Sequence, residues 1–474
     1  MILNRLFETT YGEQPVTSLE IFGSGSARRY YRLQAASGFT VIGTVGTDTA
    51  ENCAFIYLDG VFRELGIHVA RVIAVSDDET AYLQEDLGDC QLLSLITEHP
   101  DAERTAGLLR ETVSLLPDLQ FKGGRAVDFS RCYPVAEFDR RSVMWDLNYF
   151  KYSFLKPSGV EFDESRLEDD LETLATLLLS DKSMTGFMYR DFQSRNVMVY
   201  NDAPWFIDFQ GGRRGPVLYD LASFLWQAKA GFSDATRQEL ALTYKRSAIR
   251  YCDTGTDNEF MARLRLMALF RTLQVLGAYG FRGLVGGKPH FIESIPAAVE
   301  NLRGLLDALT QGEFTELERA LRAIVELPQY QPRKATSGLV VEVNSFGFRK
   351  SGIPRDYTGN GGGYVFDCRA VTNPGRYDQY KPLTGLDAPV KEFLEQGGEI
   401  QEFLESVRRI VGHSVRRYME RGFSNLKVSF GCTGGRHRSV YSAQNTAEWI
   451  SETFGVEVEL HHIEQNIHQH FPRR

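Results

Sequence analysis

Asp191-Phe192-Gln193-Ser194-Arg195-Asn196-Val197-Met198-Val199-Tyr200-Asn201-Asp202-Ala203-Pro204-Trp205-Phe206-Ile207-Asp208 is the stretch that decides how this chain is read. An Asp on a short loop can accept the proton of a substrate hydroxyl. An Asn five positions on can hold a divalent ion, and a strand returning from a turn can bring a second carboxylate to the same ion. Asp191, Asn196 and Asp208 stand in those positions. Between them, residues 197–200 read as a strand, 201–204 as a turn and 205–207 as a second strand. A hairpin closing there brings Asn196 and Asp208 together at its open end. A bare D-x-x-x-x-N match is also the polar end of an ordinary hairpin. The second Asp, placed by its own strand, tips the reading toward phosphoryl transfer.

The 474-residue chain is 43% hydrophobic and 24% charged, the make-up of a soluble globular protein with material for two or three domains. The first fourteen residues lack a continuous apolar run, and the most apolar helical stretch, 264–281, is broken by Arg265 and Arg271. Neither a signal peptide nor a membrane span is expected. Cys53, Cys90, Cys132, Cys252, Cys368 and Cys432 are scattered without C-x-x-C spacing. That argues against structural zinc and a disulfide framework, and for the reducing cytoplasm. The net charge of −9 is uneven: the acidic excess lies in residues 1–330, while 331–474 are slightly basic and hold most of the histidines. This balance falls far short of a dedicated nucleic-acid domain.

Strand-like runs at 17–22, 30–34, 39–44, 70–75 and 81–85, with a helical stretch at 50–66, predict a small β-rich lobe over residues 1–90. Residues 91–326 turn mostly helical, including 167–179, 219–228, 235–251 and 297–309. Residues 327–337 contain Pro328 and Pro332, show no periodicity and read as a linker before strand-like sequence resumes at Leu339. The expected fold is multidomain α+β: a bilobal protein-kinase-like arrangement with a β-rich N-lobe and a helical C-lobe, then an α/β domain over 338–474. No internal repeat or low-complexity tract is visible, and 359–363 reads as a loop tip.

Gly23-Ser24-Gly25-Ser26 lies between two strand-like runs and suits a cover whose backbone N–H groups approach nucleotide phosphates. Glu85-Asp86-Leu87-Gly88-Asp89 ends a strand where a lobe-connecting hinge would meet an adenine ring, which makes Glu85 and Leu87 candidate nucleotide contacts. The run Tyr189 to Asn196, followed by Ile207-Asp208-Phe209-Gln210 and by Gly215-Pro216-Val217-Leu218-Tyr219-Asp220-Leu221-Ala222-Ser223, resembles the aminoglycoside phosphotransferase-like kinases. Arg28-Arg29-Tyr30-Tyr31-Arg32-Leu33 and the D-F-Q at Asp208 make that resemblance strongest to the anomeric kinases of N-acetylmuramate and N-acetylglucosamine. It covers roughly residues 17–326.

The resemblance implies that Asp191 is the base for a sugar hydroxyl and that Asn196 and Asp208 hold Mg2+ bridging the ATP phosphates. Arg195 is either catalytic or, the preferred reading, a brace of the loop; Asp220 matches a recurrent Asp of the family but reads as structural, capping the helix that begins nearby. Two positions depart from the wider pattern. Residues 39–44 carry no Lys where most kinases place their phosphate-pairing cation, and Tyr189 stands where many have His. The amino-sugar kinases also lack that Lys, and Arg28 or Arg29 is the candidate replacement. A pseudokinase is the alternative.

In the tail, residues 426–431 read as a strand, Cys432-Thr433-Gly434-Gly435-Arg436-His437-Arg438 as a glycine-rich turn and 439–454 as a helix. Strand, glycine turn and helix N-terminus together form an anion site, to which Arg436, His437 and Arg438 add donors. C-x-x-G-x-x-R-S also fits a Cys-dependent phosphatase signature, although Gly431 replaces the usual preceding His. Ser345 to Phe348, Gly352-Ile353-Pro354, Val365 to Arg369, Asn373-Pro374, Pro382 to Asp387 and the loop itself resemble the C-terminal domain of RapZ-type RNase adaptor proteins, over 338–474. That resemblance implies a ligand, glucosamine 6-phosphate, held by Thr433, Gly434, Gly435, Arg436, His437, Arg438 and Ser439, with small RNA as a possible partner. Lys350-Ser351-Gly352 departs from the family's Lys-His-Gly, and no P-loop G-x-x-x-x-G-K-[ST] occurs. His461, His462, His468 and His470 are expected at the surface or a pocket edge rather than on a metal.

The expectation is thus an ATP- and Mg2+-dependent kinase of an amino sugar, acting at the anomeric hydroxyl and fused to a sugar-phosphate-binding domain. A silent kinase-like regulator, acting as an RNA or protein adaptor, and a Cys-dependent phosphatase in the tail are the alternatives. The sequence is silent on oligomeric state.

Overall fold

The computed structural model describes residues 2–21, 28–311, 314–331, 338–358 and 362–474. The Gly23–Ser26 turn and most of the 327–337 linker therefore lie outside the described residues. By contacts the chain divides into two compact units. One comprises Met1–Phe281 and Ser294–Gln331, the other Arg282–Glu293 and Pro332–Arg474.

The first unit begins with helix α1 (Ile2–Tyr11), which turns Leu3 and Phe7 onto a sheet of β1 (Thr17–Ile21), β2 (Arg29–Gln34), β3 (Thr40–Val45), β4 (Val72–Val75) and β5 (Ala81–Glu85). The sheet is antiparallel throughout, in the order β1-β2-β3-β5-β4. Between β3 and β4 runs helix α2 (Thr49–Glu64), started by Asp48, whose side chain accepts from the Glu51 N–H. The rest of the unit is mainly helical. Its central helix, Asp257–Tyr279, buries residues around most of its circumference and starts in a capping box of Thr256 and Glu259.

Two short strand pairs interrupt the helices: β6 (Thr185–Met188) with β9 (Arg213–Pro216), and β7 (Val197–Tyr200) with β8 (Ala203–Phe206). The β7–β8 turn differs from the sequence expectation. Only Asn201 and Asp202 form it, with φ of 50° and 57°, and Pro204 sits inside β8 opposite Val199. Two left-handed residues make the tight turn that matches strand twist, and a proline is tolerated on so short a pair. The helix expected at 219–228 ends at Leu225, because Gln227 turns out to bond the neighbouring loop. The one expected at 297–309 ends at Arg303, where Gly304 follows.

The second unit is α/β. Strands β10 (Val340–Gly347), β11 (Gly363–Asp367), β12 (Asn425–Cys432), β13 (Glu457–His462) and β14 (Ile467–Phe471) form a sheet in the order β11-β12-β10-β13-β14. All pairings are parallel except β13–β14. Parallel central strands are covered on their faces and read as apolar runs. Val341, Val343, Val428, Phe430, Val458 and Leu460 accordingly pack with Val407, Val411 and Val415 of helix Glu399–Glu420 and with Ala443, Ala447 and Ile450 of helix Arg438–Phe454.

Candidate functional site

The loop between β6 and β7 carries Asp191, and its shape is set from below. Arg190 adopts a φ of 80°, a left-handed conformation that costs about 1–2 kcal/mol for a side-chain-bearing residue. Asp220, fully buried in helix Leu218–Leu225, holds the loop in that shape. Its two carboxylate oxygens accept the Tyr189 N–H at 2.8 Å and the Arg190 N–H at 2.9 Å. Gln120 Nε2 donates to the same carboxylate at 2.8 Å, and the Tyr244 hydroxyl donates to Gln120 Oε1 at 2.6 Å. Burial pushes the Asp220 carboxyl up to about 7 in spite of these donors. Asp220 is therefore a brace for the loop rather than the helix cap that the sequence suggested; the cap position belongs to Val217. The Arg190 side chain completes the brace, with bonds of 3.0 and 2.8 Å to Asp146 and 2.8 Å to the Tyr219 hydroxyl.

On this support the three sequence-predicted residues converge. Asn196 Nδ2 donates to the Asp191 carbonyl at 2.8 Å, to Asp191 Oδ2 at 3.3 Å and, at the long limit of a hydrogen bond, to Asp208 Oδ2 at 3.4 Å. Asp208 itself takes a φ of 68° just past β8, which turns its carboxylate back toward Asn196. Arg195 Nη2 donates to Asp191 Oδ2 at 2.9 Å, so Arg195 is tied to the carboxylate as well as to the loop. Ser194 is anchored through its N–H and hydroxyl to Gln227 Oε1 at 3.2 and 2.7 Å.

Two glutamines join the site, and a symmetry of the sequence names them. Asp191-Phe192-Gln193 and Asp208-Phe209-Gln210 are the same tripeptide, and each Gln donates to the Asp two residues before it, at 2.6 and 2.9 Å. Both phenylalanines are fully buried, and both set their rings edge-on to Tyr189. The repeated D-F-Q is the signal that would have found them. Tyr189 in turn sends its hydroxyl to the Ile207 carbonyl, linking the two tripeptides.

Burial raises the Asp208 carboxyl above its ordinary value and the negative charge of Asp191 adds to the rise; Gln210, Arg195 and Arg28 only partly oppose it. Two carboxylates crowded together in this way are hard oxygen donors with an excess of negative charge, and the Asn196 amide carries a third oxygen besides the Nδ2 it turns on them. That is the donor set a small divalent cation takes.

Of the candidate nucleotide contacts, Leu87 is buried among Ala70, Met198, Trp205 and Ile207, and its backbone N–H and carbonyl make no hydrogen bond among the described residues. Glu85 instead turns its side chain to the Arg71 N–H at 3.1 Å. Arg32 fixes the hinge through Asp86 at 2.6 and 3.0 Å and the Gly88 carbonyl at 3.2 Å.

In the tail, the glycine loop leaves the end of β12 and enters helix Arg438–Phe454 as expected, but its cations face the protein. Arg436 donates to the Leu383 and Pro382 carbonyls at 3.0 and 2.8 Å, and His437 Nε2 lies 2.9 Å from the Tyr380 carbonyl. Arg438 Nη1 donates to the Arg369 and Val371 carbonyls at 3.0 and 2.8 Å, leaving its buried Nε without a partner. The three side chains thus hold residues 369–383 against the loop, and an anion there would meet chiefly backbone N–H groups. Gly435, at φ 65°, is obligatory: a Cβ would lie 2.6 Å from the Gly347 nitrogen. Burial works to raise the Cys432 thiol. Hydrogen bonds from Ser439 and from the Arg436 backbone, with the Arg438 charge, bring it below its ordinary value.

The four histidines occupy three different settings. His462 is buried between Ser345 Oγ at 2.9 Å and Gln444 Oε1 at 3.0 Å, and His461 stacks on His468 with ring centroids 3.7 Å apart. His470 lies beside Glu457 and Glu459, their ligand atoms within 4.8 Å of one another. His462 is thus a core residue, against the surface or pocket-edge position expected. Among the described residues, all six cysteines are free and no helix is long and apolar enough to cross a membrane.

The chain belongs to the phosphotransferase enzyme family, whose model matches residues 18–256. Residues 339–466 match the model of the RapZ C-terminal domain, so a kinase-like domain is fused to a second, separate module. Among curated relatives, a nucleotide-binding protein of Pasteurella multocida, PM0169, is 34% identical over 36% of this chain and 58% of its own. A nucleotide-binding protein of Vibrio cholerae serotype O1 is 36% identical over 33% of this chain and 50% of its own. The chain thus spans about half the length of these relatives. Similar solved structures include a choline kinase from Cryptosporidium parvum, at 12% identity and TM-score 0.44 over 65% of this chain and 93% of that one. Another is the amicoumacin kinase hAmiN with AMP-PNP and Ca2+, at 11% identity and TM-score 0.46 over 66% and 94%.

Proposed function

We propose that this chain is an ATP-dependent small-molecule kinase whose acceptor is an amino sugar, N-acetylglucosamine or N-acetylmuramate, phosphorylated at the anomeric hydroxyl. The observation that carries the reading is the convergence of Asp191, Asn196 and Asp208 on a loop braced by a buried carboxylate. In this reading Asp191 accepts the hydroxyl proton. Its carboxylate is already aimed by Gln193 and Arg195, so little reorganisation is needed as the phosphoryl group moves. Asn196 and Asp208 would hold Mg2+, which when bound neutralises charge on the nucleotide phosphates. Leu87 supplies free backbone groups to the adenine, and the Gly23–Ser26 run would cover the phosphates. The amino-sugar assignment rests on the resemblance carried by Arg28 to Leu33 and by the D-F-Q at Asp208.

The tail would bind an amino-sugar phosphate such as glucosamine 6-phosphate on the backbone N–H groups of 433–439, with Thr433 and Ser439 as hydroxyl donors. The enzyme would then carry a sensor for a compound chemically related to its own substrate. ATP, Mg2+ and six free cysteines go with a cytoplasmic setting. Turnover of the full chain on a panel of sugars, with ADP release coupled to detection, tests the reading. Release that requires N-acetylglucosamine or N-acetylmuramate supports it, and ADP release with none of the sugars above background removes it. Gel shifts with small RNA, with and without glucosamine 6-phosphate, test the adaptor alternative.

A further inference from the structure

The third strand of the sheet has no lysine. β3 reads Thr40-Val41-Ile42-Gly43-Thr44-Val45, and among the described residues it offers no cation to a nucleotide. A kinase without a cation at this point loses the group that pairs the α- and β-phosphates and that is itself held by a glutamate of the following helix. The following helix does carry a glutamate: Glu51 stands in the first turn of α2.

Opposite Glu51 lies an arginine from a different strand. Arg28, immediately before β2, is 6% exposed, and its Nε sits 3.7 Å from Glu51 Oε2. Its guanidinium lies 5.7 Å from the Phe55 ring centroid, and Phe55 stacks at 4.8 Å on Phe209, the residue after Asp208. The site is built around the side chain. A Cβ at Gly46 would fall 3.2 Å from Arg28 Cγ and 2.8 Å from Asn52 Oδ1, and Asn52 is itself fixed to the Gly46 and Glu79 carbonyls at 2.9 Å each. Arg29 has none of this. It is 62% exposed and is paired with Glu20 on β1 at 2.9 and 3.0 Å.

We propose that Arg28, which lies beside Glu51, is the cation that pairs the nucleotide phosphates in this chain, relocated from the third strand to the start of the second. An arginine suits this role because it cannot lose its charge and because its planar fork matches phosphate oxygens bidentately. The chain is then a complete kinase rather than one silenced by a missing lysine. This inference rests on the ATP-dependent reading above, and the experiment separates the two.

The experiment is equilibrium binding of ATP, ADP and adenosine, each with Mg2+ and no sugar, to the full chain and to Arg28→Ala, Arg28→Lys, Glu51→Gln and Arg29→Ala. The expected result is that Arg28→Ala weakens ATP and ADP by about tenfold or more while adenosine binds as to the parent. Arg28→Lys and Glu51→Gln should fall between, and Arg29→Ala should match the parent. Should the alanine variant not fold, the lysine and glutamine variants carry the same comparison. Parent-like ATP and ADP affinity in the Arg28 variants overturns the inference, as does an equal loss of adenosine, which marks a merely structural arginine. A parent chain that binds none of the three overturns the kinase reading itself.

Discussion

Asp220 shows how a single residue can matter without touching the chemistry. It receives two consecutive backbone N–H groups. Asp220→Asn replaces one acceptor oxygen by a donor, so one N–H is left buried and unpaired at a cost of about 1–3 kcal/mol. The variant should unfold at lower temperature and lose more kcat than ATP affinity, because the strained Arg190 conformation that aims Asp191 is no longer held. Thermal unfolding and steady-state kinetics check this; unchanged kcat would return Asp220 to a purely local role. The acid–amide–acid spacing of Asp191, Asn196 and Asp208 was legible because local geometry alone brings the three together. The brace was not legible, because Asp220, Gln120 and Tyr244 meet only through tertiary packing across about a hundred residues.

At the scale of elements, the β7–β8 hairpin was read with the right strands and the wrong turn. Pro204 looks like a turn residue, but the pair it joins is short enough to admit it, and the left-handed Asn201-Asp202 does the turning. Asp202→Gly should therefore raise stability by roughly 0.5–1 kcal/mol, since Gly adopts positive φ freely. The exposed Arg104–Asp202 pair lost with it contributes little. A small rise in Tm with unchanged turnover is the expected outcome.

In the tail, the pattern located the glycine loop but not the partners of its cations, since the carbonyls of Tyr380, Pro382 and Leu383 lie on a segment with no periodicity of its own. His462, between β10 and helix Arg438–Phe454, gives a pH signature. Burial, with the neighbouring His461, lowers its imidazole to about 4 from an ordinary 6.5. The unfolded state takes up the proton below about pH 6.5 and the folded state only near 4, so this contribution is present above 6.5 and is lost as pH falls through that window. Unfolding measured at pH 7 and pH 5 should differ by on the order of 2 kcal/mol from this residue. His462→Gln should shrink the difference.

For the whole molecule, the two matched families divide the chain into a kinase-like part and a RapZ-type part. Both resemblances seen in the sequence point to amino sugars, and the proposal takes that agreement as its guide to the substrate. The bilobal pattern and the shift to an α/β domain after the proline-containing stretch were legible from hydrophobic periodicity; the parallel order of its strands was not. The sequence offered Arg28 or Arg29 in place of the missing lysine but not the choice between them, because the two are adjacent and only the sheet separates an inward from an outward side chain. The most direct test of the central claim is the phosphorus NMR spectrum of the product formed by the full chain from ATP, Mg2+ and N-acetylglucosamine or N-acetylmuramate. The account predicts a sugar phosphate coupled to the anomeric proton, formed at least ~100-fold more slowly by Asp191→Asn. A phosphate on any other hydroxyl, or a product that forms equally well without Asp191, would contradict it.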